Sequence, residues 1–205
     1  MVCVPHAVGA TDIARLRSVA TQIAANTRYQ DRVRLQVHFD LPDASDVATC
    51  DAILFRILAL IDADFPSAAA SLCEAARPCT SLCEMHLAGD LGFAPREPAL
   101  NVYTQSGKFA PHKDHEALTV LIPLTSADSF TGGGTGFWRP GEPHSNGEPP
   151  AIVLTPPAGT AMLFSGDVTH AGLQVEGGTR VVFVASFSAR RSASQRARIE
   201  LENGR

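Results

Sequence analysis

The sequence predicts an α+β chain that is mainly β, with a jelly-roll core over residues 99–188, helices in the supporting region 1–98 and a polar tail over 189–205. Three observations carry this. The second half contains many short apolar runs split by turns such as Pro156-Pro157-Ala158-Gly159 and Glu176-Gly177-Gly178-Thr179, the pattern of a sandwich or jelly roll. The first half contains apolar stripes at helical spacing. A length of 205 residues, with neither repeat nor linker, suits one domain with a full core.

Residues 11–26 read as a helix, capped by Thr11 or Asp12, with Ile13, Leu16, Val19, Ala20 and Ile23 on one face. Residues 32–39 alternate: Val33, Leu35, Val37 and Phe39 stand against Arg32, Arg34, Gln36 and His38, a half-buried strand with His38 at the surface. Residues 47–63 form the strongest helix, with Asp46 as its cap and Ile53, Leu54, Ile57, Leu58 and Ile61 as its stripe. Phe65-Pro66 breaks it, and a short helix capped by Ser67 runs to Arg77. The run from Thr80 to Leu87 alternates loosely as a strand, with His86 a structural residue. Strands follow at 99–104 and 117–124, the first leading through the turn Gln105–Lys108 to His112, so that Tyr103 and His112 lie on two arms of one hairpin. Residues 125–150 are mostly loop, with a glycine run, Gly132-Gly133-Gly134, bending into a strand at Thr135. Four more strands fall near 151–154, 160–164, 170–175 and 180–187.

Apolar content of 45 % and charge of 19 % are those of an ordinary globular protein. A net charge of −4 lacks the basic footprint of nucleic-acid binding, and no nucleic-acid partner is expected. The five cysteines form no Cys-x-x-Cys pair and read as reduced thiols. The N-terminus shows no signal peptide, and the longest apolar run, Ala52 to Ile61, is too short to span a bilayer. A cytoplasmic or other soluble intracellular setting, away from membrane, is the expectation.

The chemistry concentrates between His112 and Arg180. His112 and Asp114 are two apart, which puts them on one face of an extended strand. His170 lies 58 residues further on, ending Phe164-Ser165-Gly166-Asp167-Val168-Thr169-His170. Two imidazoles and one carboxylate make the facial triad of non-haem Fe(II) oxygenases, which leaves metal positions open. Arg180, ten residues past His170, can grip a carboxylate bidentately and keep its charge when buried. Tyr103, nine residues before His112, can add a hydrogen bond to that carboxylate. Each residue alone has a plain structural reading; their order and spacing is the specific signal.

With Gly133-Gly134-Thr135, Pro157, Gly159 and Phe164 in place between them, this order resembles the Fe(II)- and 2-oxoglutarate-dependent dioxygenases, in particular their prolyl 4-hydroxylase-like branch, over roughly residues 99 to 187. The resemblance implies a double-stranded β-helix, that is, a jelly roll. It implies Fe(II) on His112, Asp114 and His170, and 2-oxoglutarate held by Arg180 with Tyr103, Thr135 and Asn101. It implies O2 as the other substrate, and hydroxylation of a C–H bond as 2-oxoglutarate is decarboxylated to succinate. Asp114 argues against the halogenase variant, which gives up its carboxylate to halide. Gly-Gly-Gly-Thr where many prolyl hydroxylases read Gly-Gly-Glu-Thr, and Arg180 where collagen-type enzymes have Lys, weaken a specifically prolyl assignment. A protein or peptide side chain is the first expectation for the substrate. A free amino acid or other small molecule is the alternative. Asn101-Val102-Tyr103 before His-x-Asp also resembles the AlkB-like nucleic-acid dealkylases, which place their arginines further beyond the second His. A cupin-like binding protein without turnover is the remaining reading. Trp138, Arg139 and His144, near the expected mouth of the site, are the candidate substrate contacts.

Overall fold

A computed structural model describes residues 1–27, 31–74, 79–139 and 148–190. Two layers of antiparallel strand enclose the site, and helices cover the outer face of the larger one. The larger sheet runs in the order β1 (Val2–Val4), β10 (Ala161–Phe164), β6 (Leu118–Pro123), β13 (Arg180–Ala189), β4 (Ala99–Tyr103), β2 (Arg32–Gln36), and β3 (Leu91–Phe93) pairs with the far end of β13. The smaller sheet runs β5 (Phe109–His112), β11 (His170–Gly172), β8 (Thr135–Phe137), β9 (Ile152–Leu154). A ribbon of β7 (Phe130–Gly132) and β12 (Val175–Gly178) completes the strands. No helix among the described residues is long and apolar enough to cross a membrane.

The period of two along β13 builds both faces at once. Val181, Phe183, Ala185 and Phe187 enter the core shared with the helices, alongside Leu16, Ile53, Ile57 and Leu58. Val182 and Val184 enter the second core, between the sheets, with Tyr103, Leu121, Phe137 and Phe164. Arg180 belongs to this inner set by phase, so the alternation of β13 itself aims a guanidinium between the sheets. The central strands are apolar on both faces because both are covered.

The helices are α1 (Ala10–Ala25), α2 (Val37–Asp40), α3 (Ala44–Asp64), α4 (Pro66–Glu74) and α5 (Leu82–Leu87). Several differ from expectation. The strand expected over 32–39 stops at Gln36 and turns into α2, whose Asp40 carboxylate accepts from the Gln36 N–H. The strand expected over 80–87 is α5, because Ser81 opens a capping box: its hydroxyl accepts from Glu84 N, and the Glu84 carboxylate accepts from Thr80 N. Asp62 adds bonds from Leu82 N and Cys83 N. Gly9, not Thr11 or Asp12, caps α1, and Asp43, not Asp46, caps α3 by accepting from Ser45 N. Asp46 is buried in the first turn and pairs with Arg15 at 2.6 Å. Pro66 begins α4, a position where its missing N–H costs nothing; the expected end at Arg77 lies outside the described residues. The hairpin expected between Tyr103 and His112 is absent: β4 belongs to the larger sheet and β5 to the smaller, so the turn carries the chain from one layer to the other. Gly107 in that turn packs so tightly that a Cβ would sit 2.1 Å from Asp31 O. All five cysteines are free thiols, as expected, and His38 pairs at the surface with Asp51. His86 meets the Phe93 ring edge-on.

Candidate metal centre and co-substrate cavity

The register of β5 against β11 makes His112 and His170 cross-strand partners, and their ring centroids lie 4.4 Å apart. Asp114 does not share a strand with His112, since β5 ends at His112. It reaches the site through a loop pinned to the turn before His170: Asp114 N and His115 N both donate to Gly166 O, at 2.9 and 3.2 Å. Gly166 is required there by space, because a Cβ would lie 2.2 Å from Glu116 O.

The imidazole Nε2 atoms lie 3.3 Å (His112) and 3.6 Å (His170) from the Asp114 carboxylate, and one ligand atom from each of the three residues lies within 4.8 Å of the others. Each Nδ1 faces a backbone carbonyl, His112 to Ala110 O at 2.9 Å and His170 to Val168 O at 3.1 Å. A carbonyl only accepts, so in the neutral ring each Nδ1 carries the proton and each Nε2 presents a lone pair. Burial pulls the His170 pKa down, outweighing the opposing pull of Asp114, which keeps that ring neutral. Burial pushes the Asp114 carboxyl up, but the adjoining His112 and His170 rings and the Thr119 hydroxyl prevail and bring it to about 2. In the tautomer these carbonyls select, both Nε2 lone pairs and the Asp114 carboxylate face one point, a donor set that suits a cation. Ligand atoms on a metal at about 2.0–2.2 Å sit roughly 3 Å apart when adjacent, close to these separations. Thr119, fully buried on β6, donates to Asp114 Oδ2 at 2.6 Å and fixes the carboxylate's rotation.

Beside this cluster, Arg180 is 4 % exposed and donates to Thr135 Oγ1 at 2.8 Å, with its guanidinium 5.4 Å from the centroid of Tyr103, its partner on β4. Burial lowers its pKa from the usual arginine value while Tyr103 opposes, and the group remains a cation. No acidic side chain among the described residues pairs with it. Asn101 is 5 % exposed and its Oδ1 is buried without a partner. Gly172 keeps the floor open, since a Cβ would lie 3.0 Å from the Tyr103 hydroxyl. These groups, with His112, Asp114 and His170, line one cavity of about 290 Å³. A buried cation without an acidic partner suits a carboxylate ligand, whereas the orphaned Asn101 oxygen calls for a hydrogen-bond donor.

Residues 98–187 match the model of the 2OG-Fe(II) oxygenase superfamily. Over that stretch, somewhat under half of the chain, the protein is similar to that superfamily. Its members are oxidoreductases that use Fe(II), 2-oxoglutarate and O2. The oxygenase fold extends beyond the matched stretch. HygX from Streptomyces hygroscopicus, with nickel and 2-oxoglutarate bound, superposes with a TM-score of 0.58 over 95 % of this chain and 88 % of that one at 12 % identity. The viral collagen prolyl hydroxylase of Paramecium Bursaria Chlorella virus-1, as its 2OG complex, gives 0.55 over 92 % and 94 % at 13 % identity. A Pseudomonas putida prolyl-4-hydroxylase gives 0.51 over 92 % of each chain at 16 % identity. No curated protein sequence matches.

The structure therefore brings His112, Asp114, His170, Arg180, Tyr103, Thr135 and Asn101 to one cavity. Trp138 is elsewhere: it is 7 % exposed and its indole N–H donates to Glu148 O. Arg139 is exposed and does not line the cavity, and His144 lies outside the described residues. Among the lining residues that the sequence reading did not assign to the site are the ion-paired Arg34 and Glu97. Arg34 sits on the polar phase of β2, which reads as a solvent face; its register partner is Asn101, so that face is turned to the cavity.

Proposed function

We propose that this oxygenase uses Fe(II) and 2-oxoglutarate to hydroxylate a C–H bond, with His112, Asp114 and His170 holding the metal and Arg180 the co-substrate. Iron and 2-oxoglutarate, when bound, would supply O2 activation: 2-oxoglutarate loses CO2, one oxygen atom enters the resulting succinate and the other is inserted into the substrate C–H bond. The chain's own groups position them. The two Nε2 atoms and the Asp114 carboxylate face one point, and the Nδ1 bonds to Ala110 O and Val168 O keep both rings from turning. Thr119 holds the carboxylate. Arg180 spends one N–H on Thr135 and has others free for a carboxylate, with the Tyr103 hydroxyl nearby. Asn101 offers its amide to either molecule in the cavity.

The observation that carries this reading is one cavity containing both the His112–Asp114–His170 cluster and a buried guanidinium without an acidic partner. The test is anaerobic titration of metal-free protein with Fe(II) and then 2-oxoglutarate, following the visible charge-transfer band of the chelate. Wild type develops the band, Asp114→Ala loses it, and Arg180→Ala needs far more 2-oxoglutarate. Metal-loaded wild type without a band overturns the proposal and returns the chain to a cupin-like binding protein.

The order of motifs favours a peptide side chain, prolyl above all, as substrate. A second reading, a small molecule, has an observation of its own: at about 290 Å³ the cavity is at the lower end for small-molecule sites, and its far wall carries an ion pair, Arg34–Glu97. The net charge of −4 supports neither nucleic-acid substrate nor partner.

A further inference from the structure

Arg34 and Glu97 are set into the cavity wall by structure that holds both in place. Arg34 Nη2 lies 2.5 Å from Glu97 Oε1, with the two side chains 18 % and 4 % exposed. Glu97 Oε2 accepts from Ser186 N, which ties the carboxylate to β13. Next to Arg34 across the β2–β4 pair stands Asn101, whose buried Oδ1 has no donor. Opposite residues on antiparallel strands place their Cβ atoms about 5 Å apart. A positive edge, a negative edge and an empty acceptor are thus adjacent, one step along the sheet from the Arg180–Tyr103 pair.

The charges select the ligand. The ion pair is neutral as a whole, so on this wall a ligand with a single charge would match one edge and leave the other unmatched, and Lys113, the other cation on the cavity besides Arg180, is exposed. A zwitterion brings no net charge and can meet each edge with its opposite. Arg34 has N–H groups beyond the one given to Glu97, and a carboxylate is their natural acceptor. The Asn101 oxygen calls for a donor, and an ammonium supplies three N–H groups to share with Glu97. Leu121, Val182 and Val184 line the same cavity and offer an apolar bed for a side chain.

We propose that the primary substrate is a free α-amino acid, its carboxylate on Arg34 and its ammonium on Asn101 Oδ1 and Glu97. This rests on the small-molecule reading of the oxygenase. Its test is anaerobic calorimetry on protein loaded with Fe(II) and 2-oxoglutarate, titrated with each proteinogenic L-amino acid, its N-acetyl form, its methyl ester and a prolyl peptide. Succinate release in air is the second readout. The expected result is that a free amino acid binds and stimulates succinate release, and that acetylation or esterification weakens binding at least tenfold. Arg34→Met and Asn101→Ala should each raise its Kd at least tenfold, with Arg34→Lys restoring part of the loss. Arg34→Met should leave the Kd for 2-oxoglutarate within twofold, a control that also reports folding. The proposal is overturned if no free amino acid binds although the chelate band forms, if blocked forms or the peptide bind as well, or if Arg34→Met and Asn101→Ala bind like wild type. Absence of the chelate band is a different failure, that of the oxygenase reading, and this proposal falls with it.

Discussion

Arg180→Met separates a residue that supports the fold from one that waits for an anion. Methionine keeps the stem in the inter-sheet core and removes the charge. In the ligand-free protein the guanidinium is 4 % exposed with a hydroxyl as its polar partner, so the substitution relieves a buried cation and the melting temperature stays level or rises. Removing one partner of a buried, hydrogen-bonded charge pair costs about 2–5 kcal/mol of binding, or roughly thirty-fold to several thousand-fold in Kd for 2-oxoglutarate. At a concentration of about 100 Kd, 2-oxoglutarate stabilises wild type by about 2.7 kcal/mol, a shift of about 5–11 °C for a domain of this size. A thirty-fold weaker Kd leaves about 0.9 kcal/mol, or about 2–4 °C. The assay is thermal unfolding of metal-loaded protein without and with 2-oxoglutarate. A variant that keeps the full ligand shift, or one whose ligand-free melting temperature falls by several degrees, refutes the reasoning, because either result makes Arg180 a structural residue.

Other outcomes follow from the same geometry. Gly166→Ala drives a Cβ into Glu116 O, so the loop carrying Asp114 must move. The cost is about 1–3 kcal/mol of stability, together with at least a tenfold loss of Fe(II) affinity, read by denaturant melts and metal titration. Thr119→Val keeps the shape but removes the donor to Asp114 Oδ2. Metal affinity falls by about 10–100-fold and Thr119→Ser recovers it, while a variant that binds metal like wild type disproves the positioning role. Among the thiols, Cys3 is exposed, whereas burial, with Asp51 and Asp46 adding, pushes Cys50 up to about 12. An aromatic disulfide reagent at pH 8 therefore modifies Cys3 well before Cys50. The native state holds the Cys50 proton more tightly than the unfolded state does, so this group costs stability as pH rises from the ordinary thiol value of 9.0 toward about 12. Cys50→Ala should flatten that alkaline decline in a pH series of melts.

Much of the site was legible because its chemistry is written in residue types at fixed spacing. His112, Asp114, His170 and Arg180 announce a metal and an anion, and Tyr103 and Thr135 follow from their order. The strands were legible wherever apolar runs meet Gly and Pro turns. The capping box of Ser81 and Glu84 was also in the sequence, and loose alternation over 80–87 hid it. Tertiary structure alone decided what depends on which layer a segment joins. Alternation along 32–36 says that Arg34 opposes Val33 and Leu35, but only the pairing of β2 with β4 turns that polar face to a cavity and not to water. Spacing suggested that Tyr103 and His112 meet within a hairpin; they meet because the chain crosses between sheets. The partners of His112, His170 and Asp114, namely Ala110 O, Val168 O, Thr119 and Gly166, come from strand register and from a close approach of backbone. A sequence fixes which groups are present and their phase along each strand, whereas the surroundings that set charge, tautomer and access arise only when distant strands pack.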